Sequence, residues 1–251
     1  MQGEALKRFD LMALHVDGYE IQRNGRFGID EDFVAKLQAA LPKLPPYQIN
    51  KLGYLQEWIE DWKSGNQGHN VSPNFTFYPG RSITLRGQPE LANAIRKWMD
   101  AHPSRGGFII NWDMCIWARL ERPEQVSACI QTYMKNGPAT NLHNRGANQS
   151  DASFGFTAGV AESLLQSHAD EISLLPALPA GWTDGSVWGL RARGGYVVDL
   201  QWKGGKLESA TIRAGSNSRV PIRVRNGEKT ADLTINAGEV ARLNAELRPA
   251  I

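Results

Sequence analysis

Two carboxylates sit in surroundings suited to acid–base chemistry. Glu57 lies in GYLQEWIEDW (Gly53 to Trp62), flanked by Trp58 and Trp62. A carboxylic acid beside indoles in a partly dry cleft has its charged form disfavoured, which raises its pKa toward that of a general acid near neutral pH. Glu60 and Asp61 stand close by, so a solvated acidic helix face is the competing reading. Asp151 follows a polar run holding Asn141, His143, Asn144, Asn148, Gln149 and Ser150. An aspartate ahead of an apolar helix is expected N-cap chemistry. A loop with so many amides and an imidazole nevertheless exceeds what a cap requires, and it could bind several hydroxyls at once. Two carboxylates on opposite sides of a sugar, with tryptophan walls, form the glycosidase arrangement. In its inverting form they stand roughly 6.5–9.5 Å apart, one protonating the leaving oxygen and one activating water.

Other residues fit bland and functional readings alike. Trp112 or Asp113, in NWDMCIWARL, could face a cleft, whereas Asn111 or Asp113 could cap a helix. His69 and Asn70, ahead of the turn Tyr78–Gly80, could bind hydroxyls or stand in solvent. His102 and His168 fall at expected helix ends, where an imidazole complements the helix dipole. Arg191 and Arg193 alternate along an expected strand and would pair with acids such as Asp199. Eight tryptophans serve as core or as flat faces for sugar rings. Cys115 and Cys129 match no metal-ligand spacing and read as two buried thiols.

Helices must position the carboxylates. Asp30 to Leu41, Pro89 to His102, Asn111 to Leu120, Pro123 to Met134 and Ala152 to His168 carry apolar residues at helical spacing. After about residue 170 the period becomes two. Expected strands are Glu171 to Leu175, Val187 to Arg193, Tyr196 to Trp202, Leu207 to Arg213, Arg219 to Arg225, Leu233 to Ile235 and Val240 to Leu243, joined by glycine-containing turns. The fold class is therefore α then β. A helical layer, for which a toroid or a bundle would serve, spans residues 1–170, and a small antiparallel sandwich spans 171–251.

At 251 residues and a formal charge of +2, the chain has no electrostatic case for nucleic acid or an anionic membrane. No apolar run approaches the roughly 20 residues of a membrane span. The first twenty residues lack the apolar region of a signal peptide. Nothing marks a cofactor: there is no metal cluster, P-loop or dinucleotide fingerprint.

Several blocks resemble glycoside hydrolase family 95, the α-L-fucosidase family: GYLQEWIEDW, the YPG at Tyr78 to Gly80, the WARL at Trp117 to Leu120, Asn141 to His168, and Leu174 to Leu207. The resemblance implies the end of an (α/α)6 barrel followed by a C-terminal β domain. It implies inverting hydrolysis of α-L-fucosyl linkages, with α-L-galactosides taken by some members. Glu57 matches the family's general acid. Asp151 matches the aspartate that polarises an asparagine pair so that an amide oxygen helps activate water; that pair belongs to an upstream segment without a counterpart here. Trp58, His69, Asn70, Trp112, His143 and Asn148 would then contact the sugar. The family's His-Arg-His-Leu-Ser-His run is replaced by Gly68 to Pro73, and its Ile-Asp-Gly-Asn-Phe-Gly by Ser150 to Gly155. Both carboxylates are kept while the sugar-holding groups change. The implied partners are a fucosylated oligosaccharide or polysaccharide and an N-terminal part of the same enzyme, with an extracellular or periplasmic parent. A non-catalytic carbohydrate-binding fragment and an inactive remnant are the other readings.

Overall fold

The apolar stripes seen in the sequence become helices, and the period-two segments become strands. The structure, a computed structural model, describes residues 31–57, 60–61, 72–103, 108–136, 150–216, 218 and 221–250. Among these, five helices precede eight strands. The helices are α1 (Glu31–Ala40), α2 (Pro89–Ala101), α3 (Ile109–Arg119), α4 (Pro123–Asn136) and α5 (Ser150–Leu164). None of them is long and apolar enough to cross a membrane. α2 opens on Pro89, whose missing N–H would have had no helical partner anyway, and it buries Ala92, Ile95, Trp98 and Met99.

α3 is the central helix. Every residue from Ile110 to Leu120 except Trp112 is buried, as expected for a helix surrounded by its neighbours. This overturns the capping role expected of Asn111 or Asp113. The helix begins earlier, after Phe108, and both side chains are buried inside it. Asn111 instead donates from Nδ2 to the Ala152 carbonyl at 2.5 Å, tying α3 to α5. The two helices approach closely because α5 carries Gly155 and Gly159 on the facing side. A Cβ at Gly159 would lie 2.2 Å from Met114 Cε and 3.0 Å from its Cγ. Gly159→Val is expected to lower stability by about 1–3 kcal/mol through overpacking, read as a lower urea midpoint. An unchanged midpoint would mean that Met114 swings aside at no cost.

The strands are β1 (Leu165–Gln166), β2 (Glu171–Leu174), β3 (Gly185–Ala192), β4 (Tyr196–Lys203), β5 (Lys206–Ala214), β6 (Ile222–Asn226), β7 (Lys229–Leu233) and β8 (Val240–Asn244). They form two four-stranded sheets, ordered β1-β2-β6-β7 and β3-β4-β5-β8. The expected antiparallel arrangement holds except for β2 and β6, which run parallel, with Ile172 opposite Val224. The chain leaves the first sheet to build β3 to β5 before β6 returns beside β2. β7 precedes the expected Leu233 to Ile235 because a tight turn after Asn226 pairs it with Lys229. Asp199 takes Arg213, not Arg191 or Arg193, through bonds of 2.6 and 2.7 Å. Register explains the choice: Asp199 stands opposite Thr211, so Arg213 lies two residues along the same face of β5.

Two apolar cores result. One gathers Phe77, Ile83, Ile95, Met114, Ile116 and Val126 among the helices. The other draws on both sheets, including Ile172, Val224, Val198, Leu200 and Ile212. Trp98, Trp117 and Trp202 are core residues, whereas Trp188 is exposed. Cys115 and Cys129 are buried free thiols, and burial pushes both pKa values up to about 12.

Helix and sheet meet where α5 passes directly into β1. Gln166 donates from Nε2 to the carbonyls of Ala118, at 2.8 Å, and Glu162, at 2.9 Å. His168 therefore does not sit at a helix end: α5 stops at Leu164, since Leu165 and Gln166 pair with Leu174 and Ser173. Its ring is buried past β1. Burial, helped by the guanidiniums of Arg119, Arg193 and Arg81, pushes its pKa from 6.5 down to about 2. The folded state thus requires the neutral ring. Below pH 6.5 the unfolded chain takes up a proton that the folded chain refuses, so this contribution is complete above 6.5 and is lost as pH falls toward 2. The slope reaches about 1.4 kcal/mol per pH unit. His168→Gln is expected to flatten the acid limb of a urea-midpoint profile. An equally steep limb in the variant would assign it to other groups.

Candidate active site

Glu57 is delivered by a turn and not by a helix, which removes the solvated-helix-face reading. Asn50 Oδ1 accepts from the backbone N–H groups of Leu52 and Tyr54, each at 3.0 Å. Gly53 takes a φ of +80°, open to glycine without strain, and the turn closes with Ile49 bridged to Leu55. The chain then runs past Gln56, bonded to Gln48 through backbone and side chain, to place Glu57 half-buried at a cleft of about 290 Å³. Asp61 lines the same cleft, 3.8 Å from Lys51 Nζ.

An aromatic wall faces these acids. His102, at the C-terminus of α2 as expected, bonds through Nδ1 to the Trp98 carbonyl at 2.8 Å. Its ring stacks on Trp98 with centroids 4.4 Å apart, and Tyr54 meets it edge-on at 5.6 Å. All three line the cleft. Flat apolar faces beside carboxylates suit a sugar ring, which offers C–H groups to the former and hydroxyls to the latter.

The Tyr78–Gly80 turn is pinned from below. Arg119, 1% exposed, donates from Nη1 to the carbonyls of Phe77 and Gly80. Its Nε and Nη2 meet the two Glu162 oxygens at 3.1 Å each, and its guanidinium lies 4.7 Å from the Tyr78 ring centroid. Trp112 donates from Nε1 to the Tyr78 carbonyl at 3.0 Å and packs edge-on against Phe75. Burial, aided by the Cys115 thiol, pushes the Tyr78 hydroxyl well above its ordinary pKa.

Asp151 stands exposed in the first turn of α5, its Oδ1 accepting from the Ala152 N–H at 3.0 Å. Exposed Phe154 lies one turn on. Asp151 is not among the residues lining the Glu57 cleft. Trp58, His69, Asn70, His143 and Asn148 lie outside the described residues.

Comparison with known proteins decides the family. The model of the glycosyl hydrolase family 95 catalytic domain matches residues 16–164, and that of the glycoside hydrolase family 95 C-terminal domain matches residues 166–247. The chain belongs to glycoside hydrolase family 95. It is 37% identical over 193 residues to Alpha-L-fucosidase 2 of Arabidopsis thaliana, covering 71% of this chain and 23% of that protein. It is 28% identical over 225 residues to Probable alpha-fucosidase A of Aspergillus oryzae, covering 77% and 31%. The corresponding protein of Aspergillus niger is 28% identical over 211 residues, covering 73% and 27%. This family 95 chain thus spans between about a quarter and a third of the length of the curated relatives it matches.

Two parts of the family 95 chain escaped the sequence reading. Tyr54, Trp98 and His102 form the cleft wall, yet Trp98 read only as core; the one available signal was its i, i+4 spacing to His102. Arg119 read as part of a motif, and no local pattern announces that its partners lie some forty residues away on both sides.

Proposed function

We propose that this chain carries the acid-bearing end of the active site of an inverting α-L-fucosidase, with α-L-galactosyl linkages as a second substrate class. Glu57 is the general acid that protonates the leaving oxygen. Asp151 supports the group that activates water on the opposite face. Trp58, His69, Asn70, Trp112, His143 and Asn148 hold the sugar. One observation carries the reading: the catalytic-domain match of family 95 runs over residues 16–164, which hold both carboxylates. The half-buried placement of Glu57 beside an aromatic wall supports it.

In this reading residues 1–170 are part of an (α/α)6 toroid and residues 171–251 a β-sandwich domain. The relatives carry most of their length in segments with no match here. We assign hydrolysis of fucosylated oligosaccharides or polysaccharides to the longer enzyme, in which this chain meets an N-terminal part. The test is release of L-fucose from a 2-linked fucosyl oligosaccharide by the chain alone and by the chain joined to the remainder of the enzyme, with circular dichroism to establish folding. The joined protein is expected to release fucose and the chain alone to release little. No release from a folded joined protein would sink the proposal. Sugar binding that survives both Glu57→Gln and Asp151→Asn, with no hydrolysis, would favour a carbohydrate-binding role.

A further inference from the structure

Strand alternation gives the β1-β2-β6 part of its sheet two unlike faces. Leu165, Ile172, Leu174, Ile222 and Val224 enter the β core. Gln166, Glu171, Ser173, Arg223 and Arg225 point the other way, into a cleft of about 310 Å³ closed from the helical side by Arg86, Arg119 and Glu121. This polar seam is separate from the Glu57 cleft, with which it shares no lining residue.

The guanidiniums lining the seam are each braced by a carboxylate. Arg86 meets Glu121 and Arg225 meets Glu171, both at 2.6 Å. Arg223 meets Asp232 at 2.8 Å, and Arg119 meets Glu162 at 3.1 Å. Two lining groups are left over. His168 Nδ1 and Ser173 Oγ, on residues 6% and 5% exposed, have no hydrogen-bond partner among the described residues. Buried polar atoms are rarely left so, and the cleft has room for far more than one water.

We propose that this seam binds an oxyanion, accepting hydrogen bonds from Ser173 Oγ–H and His168 Nδ1–H in the field of the surrounding guanidiniums. Burial comes first among the causes that hold the His168 ring neutral, and the guanidiniums of Arg119, Arg193 and Arg81 add to it, so a ligand beside the ring meets the same cations. That favours a negative occupant over a neutral polyol, and charge-assisted bonds are the stronger kind. Arg119 and Arg225, whose side chains are 1% and 14% exposed, are held by Glu162 and Glu171 before a ligand arrives. Two sources share the required chemistry: a free phosphate-like ion and the carboxylate of an acidic sugar.

The chain with ring-labelled histidine can be titrated with inorganic phosphate, D-galacturonate or D-galactose at constant ionic strength, following the His168 ring by NMR. The signal is assigned as the one missing from His168→Gln. We expect a saturable shift with an oxyanion, at a Kd below about 10 mM, and none with galactose. Ser173→Ala, checked for folding by circular dichroism, should weaken binding about tenfold, the size of one lost hydrogen bond. Saturation by phosphate alone identifies a free ion, and by galacturonate alone an acidic sugar. The proposal is overturned if neither anion gives a saturable shift, if galactose acts equally, or if folded Ser173→Ala binds as tightly as the parent chain.

Discussion

Replacing Arg119 with methionine is expected to lower the unfolding free energy by about 3–5 kcal/mol, the cost of breaking a buried ion pair from one side. The loss has three parts. Glu162 keeps its charge without its bidentate partner, the Phe77 and Gly80 carbonyls lose their shared donor, and the Tyr78 ring loses the cation beneath it. Arg119→Lys should recover only a minority of the loss, because one ammonium cannot serve a carboxylate through two parallel bonds and two carbonyls as well. Urea unfolding of the variants measures this directly. Pairing Arg119→Met with Glu162→Gln should cost less than the sum of the single changes, since the second removes the stranded charge. A loss below about 1 kcal/mol in Arg119→Met, the range of a surface pair, would show that the clamp is dispensable.

The consequence reaches the proposed site. Arg119 holds the Tyr78–Gly80 turn, and the Phe77 ring beside it belongs to the same core as Trp98 and Leu55. Trp98 and Leu55 in turn line the Glu57 cleft. A fucoside hydrolase containing Arg119→Met should therefore lose thermal stability first and activity only as the cleft wall shifts.

The second large effect is chemical. In the longer enzyme proposed above, Glu57→Gln is expected to reduce kcat by about 10²- to 10⁴-fold, the range of general acid catalysis. The fold should be unaffected, because the change is isosteric at a half-buried cleft position. Leaving-group dependence separates this role from simple binding. An aryl fucoside whose phenol leaves without protonation should lose far less than an oligosaccharide whose alkoxide must be protonated. A loss of less than tenfold on the oligosaccharide, or an equal loss on both substrates, would remove Glu57 from the role of acid.

Segment-level structure was legible in the residues because it rests on local periodicity. The stripe of Ile95, Trp98 and Met99 makes α2, and the alternation of Tyr196, Val198, Leu200 and Trp202 makes β4. The acid beside tryptophans and the aspartate opening a helix were likewise visible, since both are statements about neighbours in the chain. The competing helix-face reading of Glu57 failed because Asn50 and Gly53 favour a turn that periodicity does not count. The helix expected to reach His168 ended at Leu164, because Leu165 is equally apolar in either structure and pairing with Leu174 decided the matter.

What the sequence determined by itself was the order of elements, the family and the two candidate carboxylates; all are carried by residue types at short spacing. Only the tertiary structure decided which distant groups meet. Asp199 chose Arg213 over two nearer-seeming arginines through strand register, and Arg119 found Glu162 and the Phe77 and Gly80 carbonyls through helix packing. The polar seam of Ser173, His168 and four arginines arose only when a sheet face that would otherwise meet water was turned toward the helices. Burial and charge pairing depend on the whole chain at once, so no local pattern can state them.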